Sequence, residues 1–163
     1  MIVHTHDTEE SLIATLERRC SFTETGCCLQ IKGKFFEPED FERLPQWIAG
    51  WVGDTHSEIF ICYDHDIFVF SPHMTHHSYL QFKNIFQERF SLQKAASSVS
   101  FYVLKESGLS LIEAVRAKLN KRNDVANKIY VETKQIEKED FTQKFFNLRT
   151  SIEHLSAMKK KRA

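Results

Sequence analysis

Residues 58–70 constrain this chain more than any other stretch. Glu58-Ile-Phe-Ile-Cys-Tyr63 and Ile67-Phe-Val-Phe70 are two β-rich runs, separated by Asp64-His65-Asp66. A short polar connection between such runs predicts a β-hairpin. The connection is sound turn chemistry, because Asp side chains bond nearby backbone groups and tolerate left-handed conformations.

The residues on either side fall into an order around this hairpin. Asp7 followed by Glu10 has the spacing of a capping box, and Leu12, Ile13 and Leu16 continue it at helical spacing to about Arg19. Residues 21–26 are polar and predict a turn, and residues 27–31, flanked by Gly26 and Gly33, predict a strand. Glu37-Pro38-Glu39-Asp40 opens a helix, since Pro fits a first turn and acids there complement the dipole. Phe41, Leu44, Ile48, Trp51 and Val52 form its apolar stripe, and Pro45 inside that stripe predicts a kink or a break.

Beyond the hairpin, residues 71–78 read as a loop with three histidines. Tyr79, Phe82, Phe86 and Phe90, with Ile85 beside them, then mark a helix. Residues 98–104 read as a strand, and Ser110-x-x-Glu113 as a capping box leading into Leu111, Ile112, Val115 and Leu119. A last strand is expected at residues 128–132, with helix from Glu139 onward. The sum is an α/β (α+β) chain with a β-α-β-β-α-β core. That is the ferredoxin-like, nucleotide-cyclase-type arrangement: an antiparallel sheet with helices on one face, and an extra C-terminal helix. The expected organisation is an α/β domain over residues 1–135 and an amphipathic helix with a basic tail over 136–163.

Composition narrows the function classes. The 22 basic and 22 acidic residues cancel, so the excess positive charge that drives non-specific nucleic-acid binding is missing. No apolar run approaches the ~18 residues of a membrane span. The first residues lack the basic and apolar regions of a secretory signal. Cys20, Cys27, Cys28 and Cys62 form no spaced framework, and Cys27 and Cys28, adjacent in a strand, face opposite ways. Buried reduced thiols in a cytoplasmic protein are the expectation. The run Lys159-Lys160-Lys161-Arg162 reads as a solvated end before it reads as a phosphate- or membrane-directed one.

Two histidine groups raise a metal alternative. His4 and His6 are two apart and would share a face on a strand, as in the His-x-His opening of metal-dependent phosphoesterases. His73, His76 and His77 would complete such a site, although Pro72 and polar neighbours suit an exposed loop equally well. There is no Gly-x-Ser-x-Gly elbow, phosphate-binding glycine loop or Cys-x-x-Cys in the sequence.

One family resemblance emerges. Tyr63-Asp64-His65-Asp66-Ile67-Phe68-Val69 resembles the Tyr-Gly-Gly-Asp-Glu-Phe-Val hairpin of GGDEF domains, the bacterial diguanylate cyclases. The order of elements is similar from about His6 to Glu132, and Ala114-Val-Arg-Ala-Lys118 looks like that family's last helix. Tyr63, Asp66 and Phe68 match. Asp64 and His65 stand where two glycines let backbone approach the nucleotide, and Ile67 replaces the following acid. Gln30-Ile31-Lys32 stands where the family carries its other metal carboxylate, and Thr55-His-Ser-Glu58 where an inhibitory Arg-x-x-Asp would be. Two phosphate-bridging cations need clustered carboxylate oxygens, with which Asp66 beside Lys32 is not equipped. The resemblance therefore implies a degenerate GGDEF domain in bacterial signalling that has lost cyclase chemistry, with no metal and no cofactor. Residual nucleotide or cyclic dinucleotide binding has no motif of its own behind it. A receiver-like domain is the other signalling alternative, because Phe101-Tyr-Val-Leu-Lys105 resembles a receiver's last strand and its Lys.

Phe141, Phe145, Leu148, Ile152 and Leu155 recur at spacings of four and three, the 3.5-residue repeat of a helix packing along another helix. Phe146 lies off that stripe. The stripe predicts either packing within the chain or a surface for a protein partner or a homodimer. Neither nucleic acid nor membrane insertion is expected.

Overall fold

The alternation of apolar residues along the strands dictates a sheet with two buried faces. The computed structural model describes residues 1–21, 26–53, 56–90 and 98–162. Residues 22–25 of the turn expected at 21–26, and Thr55, lie outside the described residues; Ser21 ends the first helix. Five strands form one sheet: β1 (Ile2–His4), β2 (Cys27–Ile31), β3 (Glu58–Ile61), β4 (Ile67–Phe70) and β5 (Val99–Val103). Their order is β1-β3-β4-β2-β5, so the hairpin strand β4 is the middle strand. The β3–β4, β4–β2 and β2–β5 pairs are antiparallel, whereas β1 lies parallel to β3, a strand not foreseen from the sequence.

The helices are α1 (Thr8–Ser21), α2 (Arg43–Val52), α3 (His76–Phe90) and α4 (Leu104–Arg162). Helix α1 begins directly after Asp7, whose carbonyl accepts the Ser11 N–H. The acidic start at Pro38–Asp40 is a 3-10 turn, and α2 begins only at Arg43. Pro45 thus falls in the first turn of α2, where its missing N–H removes no helical bond. The chain breaks upstream of Pro45 instead of bending at it.

With the β-α-β-β-α-β unit of β2, α2, β3, β4, α3 and β5, and β2 and β4 inside the sheet, the fold is ferredoxin-like and carries an extra edge strand. Helices cover both faces, not one. Leu29, Ile31, Ile59, Ile67, Val69 and Val99 point to one side, against Leu44 and Ile48 of α2 and Phe82 and Phe86 of α3. Cys28, Phe60, Phe68 and Phe70 point to the other, against Leu12 and Leu16 of α1 and Leu111, Ile112 and Val115 of α4. Phe60, Phe68, Phe70, Phe82 and Phe86 are all fully buried. Each such side chain contributes ~2–3 kcal/mol of burial.

The strand expected at residues 128–132 is absent: those residues continue α4. Ser110 and Glu113 lie inside that helix and cap nothing, because Leu104, buried at the end of β5, already starts it. The chain divides into two units, Met1–Asn120 and Lys121–Ala163. The dividing point is residue 120, where the sequence placed it at 135. Within the second unit the backbone is helical to Arg162, and the apolar side chains described there are exposed. No helix is long and apolar enough to cross a membrane among the described residues.

Candidate functional site

The hairpin tip is the most heavily bonded feature of the first unit. Between β3 and β4 the chain turns through Tyr63, Asp64, His65 and Asp66. The Cys62 N–H reaches the Asp66 carbonyl at 2.8 Å and the His65 N–H reaches the Cys62 carbonyl at 3.0 Å. His65 takes a left-handed conformation (φ 67°), and its ring stacks on Phe41 with centroids 3.9 Å apart. Asp64 Oδ1 accepts the Asp66 N–H at 3.2 Å, the side-chain-to-backbone bond expected of an Asp turn. Ile67 and Phe68 are buried on opposite faces of β4, so Ile67 is core and not part of any site.

Asp66 is almost saturated. Its Oδ1 accepts the Gly33 N–H at 2.8 Å, and its Oδ2 accepts the Gln30 side-chain amide at 3.0 Å. The Lys118 ammonium of α4 lies 2.9 Å from that same Oδ2 and also pairs with Asp64 Oδ2. Gln30 in turn accepts the Tyr102 hydroxyl at 2.8 Å. A continuous polar chain thus runs Tyr102–Gln30–Asp66–Lys118–Asp64, linking two strands, the hairpin turn and one helix. The side chains of Lys118 and Asp66 are only 15% and 13% exposed. Burial by itself would pull the Lys118 pKa down, but hydrogen bonds to and charges on Asp64 and Asp66 outweigh it and hold the ammonium above its ordinary value.

The tip is also clamped from two other directions. The Tyr63 N–H donates to Glu9 Oε1 of α1 at 2.8 Å, and Glu9 is fully buried. Gly33 lies so close beneath the turn that a Cβ there would come 2.7 Å from the carbonyl carbon and oxygen of His65. Glycine at 33 is therefore required by a close backbone approach.

Chemically, the arrangement neutralises its own carboxylates. A divalent cation at Asp66 needs free carboxylate oxygens and a second acid. Here Gln30 supplies an amide that donates to Asp66, and Lys118 places an ammonium between the two aspartates. The cation expected near Asp66 was Lys32; both residues line one cleft, and the ammonium bonded to Asp66 is that of Lys118. That cleft, of about 400 Å³, is bordered by Gln30, Lys32, Lys34, Phe41, Asp64 and Asp66. No group of three or more His, Cys, Asp or Glu residues fit to hold a metal occurs among the described residues.

The histidine alternative does not assemble. Strand β1 ends at His4, so His4 and His6 do not share a strand face. The His4 ring stacks on Phe60 at 4.2 Å, and its Nε2 lies 3.3 Å from Glu58. His73 lies before α3, His76 and His77 open it, and all three are exposed. Glu58 is an ion-pair hub, with Arg18 and Arg19 each 3.8 Å away, and carries no inhibitory-site arrangement. The receiver alternative asks for a parallel sheet, but β5 is antiparallel to β2.

The thiols behave as core. Burial pushes Cys28 and Cys62 well above the ordinary thiol range, and Cys27 upward as well. All four cysteines are free.

The second candidate surface is the stripe of the second unit. Phe141, Phe145, Leu148, Ile152 and Leu155 are each between 55% and 70% exposed, and Phe146 is exposed too. The residues that sequence reasoning missed at the tip are Glu9, Gly33, Tyr102 and Lys118. Lys118 had a readable signal: it follows the buried Val115 by three residues on the same helix face, next to a turn holding two acids. Glu9 had none, because an acid in a first helical turn is ordinary dipole chemistry.

No protein-family model matches the sequence, and no curated protein and no solved structure is significantly similar to it.

Proposed function

We propose that this chain is a non-catalytic regulatory or scaffolding module, a degenerate GGDEF-like domain of bacterial signalling that works through protein contacts. The observation that carries the reading is the Lys118 ammonium seated between Asp64 and Asp66. It occupies the electrostatic role that a metal ion would play for a cyclase tip, and it comes from the chain itself. The antiparallel hairpin at the middle of a ferredoxin-like sheet supports the relation to a cyclase fold. The exposed stripe from Phe141 to Leu155 supplies the contact surface for a partner.

The test is incubation of the full chain with GTP and Mg²⁺ or Mn²⁺, with products separated by chromatography, alongside calorimetry with GTP and cyclic dinucleotides. The expected result is no cyclic dinucleotide formed. Turnover that is abolished by Asp66→Ala would overturn the non-catalytic reading. Cyclic dinucleotide binding without turnover would leave it standing and mark the cleft beside Lys32 and Lys34 as a residual ligand site.

A further inference from the structure

The contact surface of the second unit carries a charge pattern that selects its partner, an inference that rests on the protein-contact reading above. In the 3.5-residue repeat, Phe141, Leu148 and Leu155 take d positions and Phe145 and Ile152 take a positions. The same register places Lys138 on the seam before the apolar run, while Lys134, one turn earlier, pairs with Glu137 along the helix. Lys144 and Arg149 stand at the flanking g and e positions, both strongly exposed. From residue 138 to residue 162, no a, d, e or g position holds an acid. The acids in this stretch, Glu139, Asp140 and Glu153, sit at outer positions, and Asp140 and Glu153 pair there with Lys144 and Arg149 along the same helix.

The segregation is steep for a chain with no net charge. Residues 141–163 contain six basic residues and one acidic, whereas residues 1–120 contain 11 basic and 16 acidic. A seam ringed by one sign of charge opposes pairing with itself. In a parallel pair in register, Lys144 faces Arg149 of the other copy, and Lys138 faces its own counterpart. In an antiparallel pair with a facing d, which centres on residue 150, Arg149 meets Arg149 across the e positions. Both orientations of self-pairing therefore juxtapose like charges, which is how natural helical interfaces exclude wrong partners.

We infer that the occupant of this seam is an amphipathic helix of a different protein, about two heptads long, whose apolar face is bordered by Asp and Glu. An anionic bilayer would also answer the charge, but the geometry disfavours it. At 100° per residue the five apolar side chains span a sector of only about 80°, the narrow seam of helix-on-helix packing. An interfacial helix needs a broad apolar face, and Phe146 points well away from the stripe.

Two probes test the inference on the full chain. One is a synthetic three-heptad peptide with Ile at a, Leu at d and Glu at e and g; the other is identical but has Lys at e and g. Sedimentation velocity at tens of micromolar should show a monomer. Fluorescence anisotropy should show the Glu peptide binding about tenfold more tightly than the Lys peptide, as a handful of exposed ion pairs allows. The double variant Lys144→Gln, Arg149→Gln removes both charges without setting like charges beside Asp140 and Glu153; it should lose that preference while keeping the helical circular dichroism signal. Equal binding of the two peptides would overturn the inference. So would a homodimer dissolved by Phe145→Asp with Leu148→Asp, or adsorption to phosphatidylserine vesicles without a peptide preference. A homodimer through the stripe would still leave the protein-contact reading intact. If neither peptide nor a second copy binds, and Phe145→Asp with Leu148→Asp changes no measured association, both readings fall together.

Discussion

Replacing Lys118 with Met tests whether the tip is held by the ion pair or merely decorated by it. The substitution keeps the length of the stem that packs beside Val115 and removes the charge, leaving Asp64 and Asp66 with no cation between them. Removing one partner of a fully buried pair costs ~3–5 kcal/mol, while an exposed pair is worth ~1 kcal/mol or less. This pair lies between those limits. Asp66 and Lys118 are largely buried, but Asp64 is 34% exposed, and Asp66 keeps its bonds from Gly33 and Gln30. A loss of ~2–3 kcal/mol follows. Urea unfolding followed by tryptophan fluorescence reads it directly, because Trp47 and Trp51 pack against Phe82 in the core of the same unit. At ~1–2 kcal/mol per molar for a domain of this size, the midpoint should fall by about 1–2 M. Adding Asp66→Asn should recover part of the loss, since a neutral amide no longer needs the ammonium. The pH dependence has a definite sign. The folded pKa of Lys118 lies above the unfolded value, so its contribution is complete below about pH 10.4 and fades only as pH rises through the folded pKa. The gap between wild type and variant should therefore be constant from pH 7 to 9. A gap below ~0.5 kcal/mol, or one that has closed by pH 9, would refute the reasoning.

Three further outcomes are expected. Gly33→Ala should destabilise the first unit by ~1–3 kcal/mol, the range for overpacking, because the Cβ meets rigid backbone of His65 and Asp64; chemical denaturation measures it. Glu9→Ala should cost ~1.5–3 kcal/mol, the value of a hydrogen bond to a charged group, and should speed amide exchange at Tyr63 observed by hydrogen–deuterium exchange. Iodoacetamide at pH 8 should leave Cys28 and Cys62 unmodified in the folded chain while labelling them in urea, since burial raises both thiol pKa values; peptide mass spectrometry reports each site.

The hairpin, the strands at β2 and β5 and the apolar stripes of α1, α2 and α3 were legible because each buries a face at its own period. The edge strand β1 was not, because Ile2-Val-His4 is three residues long and two of them remain exposed. Lys128-Ile-Tyr-Val-Glu132 misled for a physical reason. Its β-branched and aromatic residues favour a strand, but a strand needs a neighbour. Here the residues lie in the second unit, with Ile129, Tyr130 and Val131 exposed on a helix. Ser110 misled similarly: a capping box is a local signal, and the buried Leu104 and its neighbours had already begun the helix. At the hairpin tip, Tyr63, Asp64, His65 and Asp66 were legible as a turn, yet their partners Glu9, Gly33, Gln30, Tyr102 and Lys118 come from four other stretches of the chain. Linear spacing does not report such convergence.

Asp66 shows why an acid at a motif-like position is weak testimony for a reaction. In a metal-bound tip an aspartate serves by offering lone pairs outward. In this chain the same side chain accepts from a backbone N–H, a side-chain amide and an ammonium, all supplied by the fold. Together those bonds tie β2, the hairpin and α4 into one polar knot at the end of the middle strand. Loss of the carboxylate would take the acceptor from the Gly33 N–H and the Gln30 amide, at a cost of ~1–3 kcal/mol per unsatisfied group, while Lys118 would keep Asp64. Asp66 therefore has a structural reason to be an acid with or without a bound nucleotide. Gln30, Gly33 and Lys118 are the residues that reveal which role it plays. An acid at position 30 would repel Asp66 and recruit a cation, whereas the amide there accepts Tyr102 and donates to Asp66 in a single line of hydrogen bonds.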